Sequence, residues 1–170
     1  MRRLTLMRHG EARWKDPGTE DFARALSRRG IAGAQAMAGK LRELALVPER
    51  IMTSPARRAE QTTEIVAQEL SLPLRHVLRE EGLYLASAAD LLKIVQGTGP
   101  RITHLMIVAH NPGVSELAQL LAPEQEARQL AAAAWCSIAF ETDDWRAIGR
   151  VAVSSVCREA PAPRLFGFFG

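Results

Sequence analysis

The sequence predicts an α/β protein built on a mostly parallel central sheet, and three observations lead there. Short strand-like runs at residues 3–7, 50–53 and 104–109 alternate with longer stretches in which apolar residues return every three or four positions. The run His104-Leu-Met-Ile-Val-Ala109 lacks any polar and apolar alternation, which marks a strand covered on both faces. Each of these runs also ends at a turn carrying basic or imidazole side chains, and in a parallel sheet such turns share one edge, where ligands bind.

The first run, residues 3–7, ends near Gly10, which permits a sharp turn and leaves Arg8 and His9 at the edge. Residues 12–27 hold Pro17, Gly18 and several charges without sustained periodicity, so they read as a loop over that edge. Ser27 is placed to cap a helix whose apolar stripe is Ile31, Ala34, Met37, Leu41 and Leu44. After the strand at 50–53, Ser54-Pro55 reads as a helix start, with Ser as N-cap and Pro at the first helical position, and the helix continues to about Leu70. Its first turn holds Arg57 and Arg58, where the helix dipole disfavours cations; a bound anion removes that conflict.

A third strand is expected over residues 72–78, followed by the polar connection Arg79-Glu80-Glu81-Gly82. Ser87 and Asp90 form a capping box for a helix to Val95, stopped by Gly97-Thr98-Gly99-Pro100. The central strand delivers His110-Asn111-Pro112-Gly113, and a helix from about Pro112 to Leu121 turns Val114, Leu117, Leu120 and Leu121 inward. Residues 123–132 read as a short helical link. Residues 135–140 and 148–156 read as an antiparallel hairpin turned at Thr142-Asp143-Asp144. The tail from Glu159 ends in the aromatics Phe166, Phe168 and Phe169, which either pack back on the sheet or form a contact surface.

At 170 residues the chain is expected to form one domain, residues 1–170. Its 47% hydrophobic and 24% charged content is that of an ordinary globular protein, and no apolar run approaches the roughly 18 residues that span a bilayer. No secretory h-region follows Met1, so a cytoplasmic location is expected, with no membrane partner. Cys136 and Cys157 lack metal-ligand spacing and read as reduced thiols on late strands. The net charge of +3 comes from arginines spread along the chain, which argues against a nucleic-acid partner and suits acidic substrates.

Converging at one sheet edge, Arg8, His9, Arg57, Arg58 and His110 suit phosphoryl transfer: a nucleophile, a second imidazole and guanidiniums around a group with negative oxygens. His9 must then attack through a neutral nitrogen, with its other nitrogen held by a backbone carbonyl that fixes the tautomer.

Arg8-His9-Gly10, Ser54-Pro-Ala-Arg-Arg58-Ala-Glu-Gln61-Thr62 and Val108-Ala-His110-Asn111-Pro112 resemble, in order and spacing, the three blocks of the histidine phosphatase superfamily, also called phosphoglycerate mutase-like. The compact length is similar to that of the small SixA-type phosphohistidine phosphatases. The resemblance implies a three-layer α/β/α sandwich of phosphoglycerate mutase-like fold. It also implies a metal-independent phosphatase without cofactor in which His9 becomes phosphohistidine and Arg8, Arg58 and His110 hold the phosphoryl oxygens. The motif selects Arg58 over Arg57. Many relatives add a glutamate after the third strand as proton donor, and Glu81, with Glu80 beside it, falls near that place without the surrounding motif.

These expectations favour a protein phosphohistidine as substrate, since imidazole leaves more readily than an alkoxide. A small-molecule phosphomonoesterase using Glu81 or Glu80 as acid is the alternative, and a phosphate-recognition module without turnover is a third reading. The oligomeric state is open at this stage.

Overall fold

The computed structural model describes residues 1–14, 16–126 and 128–163. Its strands are β1 (Arg2–Arg8), β2 (Arg50–Thr53), β3 (Val77–Arg79), β4 (His104–Ala109), β5 (Trp135–Phe140) and β6 (Val153–Glu159). They form one sheet in the order β3-β2-β4-β1-β5-β6. The first four in that order run parallel, and β5 pairs antiparallel with both β1 and β6. All six residues of β4 are buried, as its unbroken apolar run requires of a central strand.

Helices α1 (Arg28–Glu43) and α2 (Arg57–Glu69) cover one face of the sheet, and α3 (Ala88–Gln96) and α4 (Gly113–Leu121) the other. Alternation along the strands divides the core accordingly. Leu4, Leu6, Leu105 and Ile107 pack with Leu91, Val95, Val114 and Leu117, while Met7, Met106, Val108 and Ile51 pack with Met37, Leu41, Val66 and Ala59. The result is a three-layer α/β/α sandwich.

Two predicted helix starts are observed as read: Ser27 Oγ accepts from Gly30 N and Ser87 Oγ accepts from Asp90 N. The other elements differ where a tertiary partner claims a group that local reasoning assigned elsewhere. Helix α2 begins at Arg57 with Ala56 as N-cap; the Ser54 hydroxyl accepts from Ala56 N, just before the helix, and its shorter contact is with His110. Among the described residues of 123–132 there is no helical link. Leu130 instead gives its N–H to Ser115 Oγ at 2.9 Å and its carbonyl to Asn111 Nδ2 at 2.9 Å, groups a helix would need for its own ladder.

The third strand is only three residues long, because Leu74–His76 form an exposed 3-10 turn. The predicted β5–β6 pair is present, but β6 starts at Val153 and the connection is a long one. Trp145 and Ile148 are drawn into the core there, the indole N–H donating to Ile102 O at 2.7 Å, and that excludes a tight turn at Thr142-Asp143-Asp144. On α4, Leu120 is 59% exposed; the inward stripe is Val114, Leu117, Ala118 and Leu121, and Leu120 lies off it. Leu44, at the end of the α1 stripe, is also exposed. The tail aromatics Phe166, Phe168 and Phe169 lie outside the described residues.

Parallel register sets up the site. Arg8 pairs with Ala109 and Thr53 with Val108, so β1, β2 and β4 end level with one another. The β1–β4 boundary is also where the chain leaves the sheet in opposite directions, α1 following β1 on one face and α4 following β4 on the other. A crevice opens at such a point.

Candidate active site

The turn after β1 is held from several sides. His9 N–H donates to Ala109 O at 3.1 Å, and His9 O accepts from Ala133 N at 3.0 Å. Gly10 N–H donates to Thr62 Oγ1 at 2.9 Å, and that hydroxyl in turn donates to Arg58 O at 2.8 Å, tying the turn to α2. A Cβ at Gly10 would stand 2.8 Å from the Gly30 carbonyl oxygen, so the close approach of the turn to α1 excludes a side chain.

Within this frame the His9 ring is oriented by its own backbone. Nδ1 donates to Gly10 O at 2.7 Å, which leaves Nε2 with a lone pair facing the cavity, as the sequence analysis expects of a nucleophilic imidazole. Burial lowers the His9 pKa to about 3; the Gly10 carbonyl opposes that shift, and nearby His110, Arg58 and Arg8 add to it. Neutral imidazole is therefore the form present at physiological pH.

Arg58 lies in the first turn of α2 and is 3% exposed, whereas Arg57 points outward and pairs with Glu64 at 3.4 Å. The Arg58 guanidinium reaches His9, Asp21 and His110. Nε donates toward His9 Nε2 at 3.3 Å, Nη1 donates to Asp21 O at 2.7 Å, and Nη2 lies 3.0 Å from Asp21 Oδ2 and 3.4 Å from His110 Nδ1. His110, delivered by β4, has its Nε2 2.7 Å from Ser54 Oγ, and the His9 and His110 rings are 5.1 Å apart. Burial, then the charge of Arg58, lowers the His110 pKa to about 4.

Arg8 reaches the same space from β1. Its Nη1 donates to Leu130 O at 3.2 Å, and its Nε is buried with no partner among the described residues. Arg8, His9, Asp21, Arg24, Arg58, Leu85, His110 and Asn111 enclose an open cavity of about 350 Å³. Three guanidiniums against one carboxylate, with two neutral imidazoles, leave a net positive charge around this small volume and favour an anion with several oxygens.

The structure thus brings together His9, Arg8, Arg58 and His110 and leaves Glu81 out. Glu81 is 72% exposed on its side chain and pairs with Arg79 at 2.9 Å, while the Glu80 carboxylate accepts from Gly82 N. Neither glutamate lines the cavity.

Sequence reasoning missed Asp21, in the loop it read only as a cover. That carboxylate accepts from Arg58 and, at 2.8 Å, from Tyr84 OH, and pairs with Arg24 at 3.0 Å. These partners outweigh its own partial burial and lower its pKa to about 2. Tyr84 stands edge-on to both Phe22 and His110, so the loop after β3 braces the loop after β1 across the cavity mouth. The spacing Asp21-x-x-Arg24 was the only available signal, and it is unremarkable in a charged loop.

Comparison with known proteins gives this geometry a family. Residues 4–83 match the model of the histidine phosphatase superfamily (branch 1). An uncharacterised protein of Mycobacterium tuberculosis is 33% identical over 116 residues, spanning 68% of this chain and 70% of that one. Phosphohistidine phosphatase SixA of Escherichia coli is 27% identical over 137 residues, 80% of this chain and 84% of that one. Among solved structures, a protein histidine phosphatase SixA complexed with tungstate superposes with a TM-score of 0.76 at 25% identity, over 91% of this chain and 95% of that one. A structure assigned to SixA from Agrobacterium tumefaciens gives a TM-score of 0.80 at 22% identity, over 94% and 98% of the two chains, a likeness of fold. The chain belongs to the histidine phosphatase superfamily, in its SixA-type branch, and is a phosphatase.

Proposed function

We propose that the protein removes phosphoryl groups from protein phosphohistidine through a phospho-His9 intermediate. The observation that carries this reading is the orientation of His9: Nδ1 donates to Gly10 O, and the Nε2 lone pair is turned to the cavity side, where its partner is a long 3.3 Å contact from Arg58 Nε that an incoming phosphoryl group displaces. In the proposed reaction Nε2 attacks phosphorus in line with the departing group, while Arg8, Arg58 and His110 donate to the three equatorial oxygens and offset their charge. Water then attacks the phosphoenzyme along the same line and releases phosphate, returning His9 to its neutral form. The protein's own cations supply the positive charge, so the scheme needs no metal.

The choice of phosphohistidine over an ester rests on the lack, among the described residues, of a proton donor lining the cavity. An alkoxide leaving group calls for an acid opposite His9. Glu80 and Glu81 have partners in Gly82 and Arg79 and do not line the cavity, and Asp21, with a pKa of about 2, is a carboxylate at neutral pH. A phosphohistidine ring protonated on its other nitrogen departs as neutral imidazole, so the proton that an ester would need from the protein is already on the leaving group. The cavity is also open, which suits a side chain presented by another protein, and SixA of Escherichia coli is named for phosphohistidine.

The test is a comparison of kcat/KM on a histidine-phosphorylated protein with that on small phosphate esters, run on wild type and His9→Ala. We expect preference for the phosphoramidate, a trapped phosphoenzyme in wild type, and loss of at least about 10³-fold in His9→Ala. Preference for the esters would overturn the substrate, and full activity in His9→Ala would overturn the mechanism.

A further inference from the structure

We propose that Ser54 is a positioning residue that holds His110 in the tautomer whose Nδ1–H points at the phosphoryl oxygen; this rests on the reading of the cavity as the phosphatase site. Ser54 is fully buried, and its Oγ lies 2.7 Å from His110 Nε2. The same oxygen already accepts from Ala56 N–H at 3.3 Å. Its single hydrogen therefore needs an acceptor, and among the described residues His110 Nε2 is the one within reach.

Two proton arrangements are conceivable for this contact. If Nε2 carried the hydrogen, Ser54 Oγ would accept twice and its own hydrogen would be stranded in a dry site, the costly outcome for a buried hydroxyl. If Ser54 donates, every group is satisfied: Ala56 N–H to Oγ, Oγ–H to Nε2. Nδ1 is then the protonated nitrogen of a neutral ring, and burial keeps the ring neutral.

That assignment fits the other side of the ring. Nδ1 lies 3.4 Å from Arg58 Nη2, at the outer limit of a hydrogen bond, and Nη2 has a nearer acceptor in Asp21 Oδ2 at 3.0 Å, so Nδ1 does not depend on Arg58 for a partner. An oxygen placed between them accepts from both. His9 carries its hydrogen on the same atom, Nδ1, but spends it on Gly10 O and so shows the cavity a lone pair. The two rings share a tautomer and present opposite faces, one as nucleophile and one as donor. Each orientation is set by a group just outside the cavity.

The experiment reads the tautomer directly and separately from turnover. Long-range ¹H–¹⁵N spectra of protein labelled in histidine, with His110 assigned from a His110→Gln variant, report which nitrogen is protonated at neutral pH. We expect Nδ1–H at His110 in wild type and in Ser54→Thr, and a shift toward Nε2–H or a mixture in Ser54→Ala. On an aryl phosphate, Ser54→Ala is expected to lose about 10- to 100-fold in kcat with a smaller change in KM, and Ser54→Thr to recover most of it. Orthovanadate affinity should fall with kcat. An Nε2–H signal at His110 in wild type overturns the proposal, even if Ser54→Ala does not fold. So does retention of Nδ1–H and of vanadate affinity in Ser54→Ala. Should the protein instead fail to hydrolyse phosphate compounds while wild-type His110 reads Nδ1–H, the functional reading falls and the tautomer assignment stands.

Discussion

Asp21 meets Arg58 twice, through its carbonyl oxygen to Nη1 at 2.7 Å and through its carboxylate to Nη2 at 3.0 Å. The double contact aims the guanidinium, and it also places a negative charge beside the cavity that an anionic substrate must enter. Asp21→Asn keeps the main-chain contact and an acceptor oxygen while removing the charge. Because like charges several ångströms apart at a protein surface repel by on the order of 1 kcal/mol, we expect orthovanadate to bind about 3- to 10-fold more tightly to the variant. Inhibition constants check this; weaker binding would show that the ionised carboxylate is needed to aim Arg58.

Arg57 and Arg58 adjoin in sequence and differ in every physical respect. Arg58 is buried against both imidazoles, and Arg57 is solvated beside Glu64. Arg58→Ala should cost about 10²- to 10³-fold in kcat/KM, the range for removing one preorganised donor to a developing anion. Arg57→Ala should leave kcat/KM within about twofold and stability within about 0.5 kcal/mol. Equal effects in the two variants would contradict the placement.

How much of this was legible beforehand follows a pattern. The central strand and the place of His110 at its end were readable because an all-apolar run is a strand covered on both faces, and Ser27 and Ser87 were readable because their partners are three residues away. Ser54 and Leu130 were misread for the opposite reason: His110 and Asn111 claim them from distant parts of the chain, and local propensity carries no trace of that. Asp21 and Tyr84 meet across 63 residues of sequence, and only the fold juxtaposes them. Local rules failed mainly where the chain spends its groups on the site.

Acid should reveal the depressed histidines. His9 lies near 3, and His110 and His104 near 4, against an ordinary value of 6.5. Between about pH 6.5 and 4 the unfolded chain therefore binds protons at these positions that the folded chain does not. Stability is complete above pH 6.5 and declines as pH falls through that window. Thermal unfolding midpoints should drop accordingly, and the ring proton resonances of His9 and His110 should show neutral imidazole still at pH 5. A His9 titration midpoint near 6.5 would remove the physical basis for the nucleophilic role proposed for it at lower pH.

Glu80→Gln and Glu81→Gln isolate the proton-donor question. Neither carboxylate lines the cavity, so we expect both variants to keep phosphohistidine hydrolysis within about twofold, since exposed contacts of this kind contribute little. A loss of tenfold or more in ester hydrolysis in Glu81→Gln would mean that the loop after β3 rearranges to bring the acid in during turnover.

Gly113 and Gly39 make a matched pair for the framework behind the site. A Cβ on Gly113 would stand 2.1 Å from the carbonyl oxygen of Ala86, a backbone atom in the loop that carries Tyr84 and Leu85 to the cavity. The helix start and that loop cannot both keep their places, so Gly113→Ala should destabilise by about 1–3 kcal/mol, the usual cost of overpacking. It should also lower kcat/KM, because Tyr84 holds the Asp21 carboxylate that aims Arg58. Gly39 lies inside α1 with nothing within 4 Å of an added Cβ, and there alanine removes backbone freedom from the unfolded chain at no steric cost. Gly39→Ala should stabilise by about 0.4–1 kcal/mol with unchanged kinetics. Denaturant midpoints of the two variants check both signs. If Gly113→Ala loses stability but keeps full kcat/KM, the loop after β3 has moved without disturbing Arg58, and the brace through Tyr84 and Asp21 is dispensable for catalysis.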